Sequence, residues 1–222
     1  SREDGGAYGR AARAAGCVAV VGVRGPALEG GTGIEVLEPR RSLAQAANRF
    51  YEHPSRGVRV AGVTGTNGKT TTTWLLESIF RIAGWSAGIA GTTGVRFAGE
   101  WRPSAFTTPE APELQSLLRE MVSARVEVVA LEISSHALAQ RRCFGLECDV
   151  IVFTNLSHDH LDYHGSMAAY LDAKLMLFDG RNGAMRKPIT AIVNADDAVA
   201  PQVMEAARRG GPIDASWVAH CL

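Results

Sequence analysis

The sequence predicts an α/β fold, a mostly parallel sheet with helices on both faces, built around a P-loop and preceded by a partial, smaller α/β domain. Apolar runs at 58–63, 87–90, 126–133, 149–154 and 189–193 alternate with segments 70–83, 112–124, 135–143, 166–178 and 198–209 that read as helices. Near-continuous Val/Ile/Ala runs in that rhythm mark parallel strands covered on both sides. The second observation is the segment Val63-Thr-Gly-Thr-Asn-Gly-Lys-Thr-Thr71, a glycine-rich turn between the first of these strands and the first of these helices. Ligands of such a sheet gather at the carboxyl ends of its strands.

Residues 1–57 differ in character. Positions 7–15 read as a helix, 17–23 as a strand and 25–33 as a loose glycine-rich stretch; 41–51 is again helical, and 53–57 is a turn into the nucleotide domain. The expected division is therefore 1–57, the remnant of a smaller domain with a linker, and 58–222, the sheet domain that carries the glycine-rich turn. No internal repeat or low-complexity tract is visible.

In the turn, Gly65 and Gly68 let backbone N–H groups converge on anionic oxygens, Lys69 can reach terminal phosphates, and Thr70 opens a helix with a hydroxyl suited to Mg2+. The strict G-x-x-x-x-G-K-[ST] pattern wants glycine where Val63 stands, with Gly62 one place early. Context restores the reading. Residues 59–63 are a short apolar strand, and the segment from Thr70 carries Trp74, Leu75, Ile79 and Ile82 at helical spacing. The rival is an ordinary glycine-rich turn; the expected ligand is a nucleoside triphosphate.

Composition sets outer limits. A chain of 222 residues with 46% hydrophobic content can bury a full core, and 23 basic against 23 acidic side chains leave no electrostatic footprint for nucleic acid or an anionic membrane. No stretch approaches a membrane span, and residues 1–20 lack the order of a signal peptide. Cys17, Cys143, Cys148 and Cys221 form no C-x-x-C pair, so buried thiols in a reducing cytoplasm are expected.

Four further clusters follow the P-loop: Thr107-Thr-Pro-Glu110, Glu132-Ile-Ser-Ser-His136, Asn155-Leu-Ser-His-Asp-His-Leu-Asp162 and Val193-Asn-Ala-Asp-Asp197. With Gly65-Thr-Asn-Gly-Lys-Thr70 they stand in the order found in Mur ligases, which the chain closely resembles over 58–209 and more weakly over 1–57. The nearest resemblance is to the members that add the third residue of the peptidoglycan stem peptide. That implies a cytoplasmic ligase in which ATP phosphorylates the carboxylate of UDP-N-acetylmuramoyl-L-alanyl-D-glutamate and an amino acid, meso-diaminopimelate or L-lysine, attacks the acyl phosphate.

The resemblance assigns roles residue by residue. Gly65, Thr66, Asn67, Gly68, Lys69, Thr70 and Thr71 cradle ATP, and Asn194 contacts the adenine. Two Mg2+ ions fall to Thr70, Glu132, His160 and Lys174, with Lys69, His160 and Lys174 the catalytic set. Glu132, at the end of an apolar run, projects from a strand's carboxyl end; its rival reading is a solvated or capping carboxylate. His158, His160 and His164 invite zinc, but no cysteine lies nearby and structural zinc needs four converging ligands. By resemblance only His160 meets a metal, while Asp159 and Asp162 orient the site or stabilise the turn. A bare Lys174 adds like charge beside magnesium and reads as a solvated helix lysine; the family's matching lysine is carbamylated, which makes it an anion.

Thr107, Thr108, Ser134, Gln140 and Arg142 match the family's contacts to the UDP-muramoyl substrate, with His136 a further pocket candidate. Hydroxyls and an amide suit sugar and pyrophosphate oxygens, and arginine offers a fork for phosphate or carboxylate. Thr108 and Pro109 also read as a helix start, and Asp196 or Asp197 as a helix cap. Ligases of this family carry a C-terminal Rossmann-like domain with the amino-acid pocket, which the sequence to Leu222 is expected to lack. On that expectation the chain alone binds nucleotide without forming the peptide bond. Two alternatives stand beside this reading: a nucleotide-binding remnant without turnover, and a folylpolyglutamate synthase-like ligase.

Overall fold

The computed structural model describes residues 8–23, 32–183, 186–210 and 213–218, the last by backbone alone. Two compact units separate at residues 1–43 and 44–222. In the first, α1 (Gly9–Ala14) precedes β1 (Ala19–Gly22), which pairs in parallel with β2 (Thr32–Glu35). Most of the expected loose stretch at 25–33 lies outside the described residues, as does Ala7 of the expected first helix. Helix α2 (Pro39–Phe50) spans the boundary, and a 3-10 turn (Pro54–Arg56) fills the expected turn.

The second unit is one sheet. Its strands in chain order are β3 (Arg59–Thr64), β4 (Ala87–Gly91), β5 (Gly94–Phe97), β6 (Glu100–Arg102), β7 (Val128–Glu132), β8 (Val150–Phe153), β9 (Ile189–Asn194) and β10 (Ile213–Val218). They lie in the order β10-β9-β8-β3-β7-β4-β5-β6. Pairing from β10 through β4 is parallel; β5 and β6 add an antiparallel edge. The central β3 shows why: Val60, Ala61, Gly62, Val63 and Thr64 are all buried, as a strand covered on both faces requires. Register places Val63 beside Glu132 and Thr64 beside Phe153, so the ends of β3, β7 and β8 emerge together.

Helices α3 (Lys69–Ile82), α4 (Ala111–Ser123), α5 (Ser135–Ala139), α6 (Leu161–His164), α7 (Met167–Leu175) and α8 (Ala200–Arg209) complete the unit. Leu114, Leu118 and Met121 of α4 join Val129, Leu131 and Ile151 in the main core. The helix expected over 135–143 is shorter because Arg141 takes φ +60°, which stops it. The β5–β6 hairpin escapes periodicity: its strands are short and of mixed polarity, and the turn is Ala98-Gly99, both at positive φ, without the Asn-Gly signature of that turn. Cysteines divide. Cys143 and Cys148 are buried, with burial raising the Cys143 thiol to about 12, whereas Cys17 is exposed, contrary to expectation; Cys221 lies outside the described residues.

Candidate nucleotide and substrate site

A cavity of about 530 Å³ opens at the carboxyl ends of β3, β4 and β7. Its first wall is the P-loop from Thr66 to Thr71. The loop owes its path to Gly65, at φ +148°, where a Cβ would collide with the Thr154 hydroxyl. Residues after β8 then lace it in place. The Thr66 N–H donates to the Asn155 carbonyl (2.8 Å), the Asn67 N–H to Asn155 Oδ1 (3.0 Å), and Thr154 Oγ1 to the Asn67 carbonyl (2.6 Å). Lys69 Nζ donates to the carbonyls of Gly65 (2.9 Å) and Thr66 (2.8 Å); burial lowers its pKa, opposed by the nearby charges of Glu132 and Asp159.

Glu132 is the centre of the polar network. Fully buried at the end of β7, it accepts from Thr70 Oγ1 (3.1 Å), the Thr92 N–H (3.0 Å) and Thr92 Oγ1 (3.0 Å). Its carboxylate lies against Gly91, at the end of β4, where any Cβ would run into it. Burial with three donors excludes the solvated reading. The Thr70 hydroxyl beside a strand-end carboxylate is a hard-oxygen pair of the kind magnesium prefers, and it fits an ion that completes its shell with water and phosphate oxygens. Among the described residues no three His, Cys, Asp or Glu side chains converge as a metal group.

The opposite wall holds Thr107, Thr108, Ser134, His136, Arg142 and Phe106. Thr108 does not cap α4, whose N-cap is Glu110; its hydroxyl donates to the Glu132 carbonyl (2.9 Å) and accepts the Ser134 N–H (3.0 Å). Ser134 in turn caps α5, its Oγ accepting from the Ala137 N–H. Arg142 is held on several sides. It donates to Gln140 through Nε (3.0 Å) and Nη2 (2.6 Å) and to the Thr108 carbonyl through Nη1 (3.0 Å), pairs with Glu110 (3.0 Å) and lies over the Phe106 ring (4.9 Å). Gln140 thus acts on the wall through Arg142 and is not part of the lining.

His160 enters the cavity from the start of α6, in a left-handed conformation with its N–H bonded to Asp159 Oδ1 (2.8 Å). His136 packs edge-on against it at 4.7 Å, and burial followed by the His160 charge lowers the His136 pKa. Lys174 lies behind this wall, only 1% exposed, its Nζ 4.5 Å from the Tyr170 ring centre. Burial first, then the charge of Lys69, brings its pKa to about 7. That overturns the solvated-lysine reading. Asn194 stands outside the cavity, donating to the Thr154 carbonyl (2.9 Å); Asp197 is not the N-cap of α8, which is Val199, but it accepts the Val199 N–H through Oδ1 (3.0 Å) and the Leu156 N–H through Oδ2 (2.8 Å). Thr92, Phe106 and Tyr170 were not singled out from sequence; Thr92 follows a predicted strand, which is the signal that finds it.

Comparison with known proteins places this geometry. Residues 63–212 match the family model described as Mur ligase middle domain. The chain is 43% identical over 198 residues to a UDP-N-acetylmuramoyl-L-alanyl-D-glutamate–2,6-diaminopimelate ligase from Geobacter metallireducens, covering 87% of this chain and 39% of that protein. A solved structure of a ligase of the same name superposes with a TM-score of 0.82 at 28% identity, over 96% of this chain and 42% of the other. A folylpolyglutamate synthase/dihydrofolate synthase with Mn, AMPPNP and L-glutamate bound shares the fold alone, at a TM-score of 0.60 and 21% identity over 79% of this chain and 47% of the other. The chain spans about two fifths of the length of the curated relative. With most of its length matched to the model, the chain belongs to the Mur ligase family, and residues 63–212 are its middle domain.

Proposed function

We propose that this chain is the nucleotide-binding part of a cytoplasmic ATP-dependent ligase that joins an amino acid to UDP-N-acetylmuramoyl-L-alanyl-D-glutamate through an acyl phosphate. The amino acid is 2,6-diaminopimelate, which the name of the 43% identical relative carries. One observation supports the reading most: a phosphate cradle and a wall of hydroxyls with a fixed guanidinium face each other across a single cavity. Residues 58–222 are the ATP-binding domain in this reading, and 1–57 belong to the domain that holds the UDP end.

Lys69 exchanges its two carbonyl partners for terminal phosphate oxygens, and Thr66 to Thr71 hold the triphosphate. Arg142 spends three of its five N–H groups on Gln140 and Thr108, which leaves one on each terminal nitrogen for a carboxylate or pyrophosphate oxygen. Thr107, Thr108 and Ser134 orient the same substrate, and Asn194 borders the adenine. Thr70, Glu132, His160 and carbamylated Lys174 would hold two magnesium ions. When bound, these supply positive charge at the phosphate and acyl oxygens. Carbamylation suits Lys174 because a pKa near 7 leaves a large neutral fraction of the amine, the form that adds to CO2 with loss of a proton.

Calorimetry tests the reading. ATP·Mg2+ should bind the chain, and Lys69→Ala should weaken binding roughly ten- to a hundredfold, as loss of a charged hydrogen bond does, with the melting temperature unchanged. Equal affinity in the variant would refute the cradle. UDP-N-acetylmuramoyl-L-alanyl-D-glutamate should bind the nucleotide-loaded chain, whereas binding of a pteroate in its place would favour the folate-type ligase.

A further inference from the structure

Tyr170 joins the P-loop to the cluster of Lys174, His160 and His164. It lies on α7, only 1% exposed and one helical turn before Lys174. Its ring receives the Lys174 amine at 4.5 Å and packs against His164 at 5.0 Å and His160 at 5.9 Å. A buried phenol needs a polar partner. Tyr170 finds it in the P-loop, where its hydroxyl is 3.1 Å from Thr66 Oγ1. That oxygen also accepts the Ser157 N–H at 3.0 Å. Thr66 is therefore pinned from two sides, while its own carbonyl receives Lys69.

We propose that Tyr170 is a positioning residue for nucleotide binding, its hydroxyl fixing Thr66 and with it the path of the P-loop that receives the phosphates. Tyr170 is not among the residues that line the cavity, so it acts through the loop. The phenylalanine variant isolates this role, because it keeps the ring between Lys174 and the two histidines and removes only the hydroxyl. The inference rests on the ATP-binding reading above.

The test is calorimetry of ATP·Mg2+ with the whole chain and three variants. Tyr170→Phe is expected to lose roughly fivefold in affinity, because a loop no longer pinned must be ordered on binding, and to lower the melting temperature by about 2 °C, since the bond is already made in the free chain. Thr66→Val, which also takes the acceptor from the Ser157 N–H, should lose at least as much, and the double variant should be no weaker than Thr66→Val, since the link to Tyr170 is already broken there. Parent-like affinity in Tyr170→Phe, or losses that multiply in the double variant, would overturn the inference. Failure of the parent chain to bind ATP·Mg2+ would instead overturn the functional reading.

Discussion

Helices α3 and α4 both carry apolar residues at helical spacing, yet they face the protein in opposite ways. In α4 the stripe points inward: Leu114, Leu118 and Met121 are at most 1% exposed. In α3 it points outward, with Leu75 at 59%, Ile79 at 58% and Ile82 at 87% exposure, while Thr73 and Glu77 are buried. Both polar residues are satisfied. Thr73 Oγ1 bonds the Thr70 carbonyl (2.9 Å), and Glu77 pairs with Arg96 of β5 (2.6 Å) and Arg81 (3.7 Å). Arg96 also lies 4.4 Å over the Trp74 ring. Periodicity thus identifies a helix in both cases, but the side that meets the sheet is decided by whether its polar residues find partners, Glu77 on a neighbouring strand and Thr73 within its own helix.

The largest effect should come from the conventional helix. Leu118→Ala is expected to cost about 3 kcal/mol in urea unfolding, through lost burial and a residual cavity. A cost below 1 kcal/mol would mean that α4 is not tightly packed. Next comes the inverted face. Glu77→Ala should cost about 2 kcal/mol, less than a fully buried pair because Arg96 is 30% exposed, and adding Arg96→Ala should cost little more. Full additivity of the two would show that the pair is not what holds α3 to β5. The smallest effect belongs to the outward stripe, where Ile79→Ser should stay within about 0.5 kcal/mol. A loss like that of Leu118→Ala would mean that the face is covered in solution.

The same contrast explains what could be read in the sequence. The parallel sheet was legible because β3, β7, β8 and β9 are apolar runs at the right intervals, and Glu132 because its strand ends in a lone carboxylate. The β5–β6 edge was not, since Gly94–Phe97 and Glu100–Arg102 alternate too briefly to show a period. In the site, the P-loop announces itself by glycine spacing. Lys174 does not: a lysine on a helix ordinarily lies in solvent, and only the resemblance distinguished it from that case. Tyr170 and Thr92 are tied to the site by long-range contacts, and no local pattern records a contact between residues as distant in sequence as Thr66 and Tyr170 or Thr92 and Glu132.

Gly91 carries a consequence for how this domain can change. Its backbone is unexceptional, without the positive φ that usually demands glycine, so the restriction comes from a neighbouring strand. The carboxylate of Glu132 occupies the volume that a side chain at 91 would need. A library randomised over 87–91 and selected for nucleotide binding should therefore return glycine at 91 whatever it admits at 87 and 90. Drift at that codon is open only to lineages that change Glu132 at the same time.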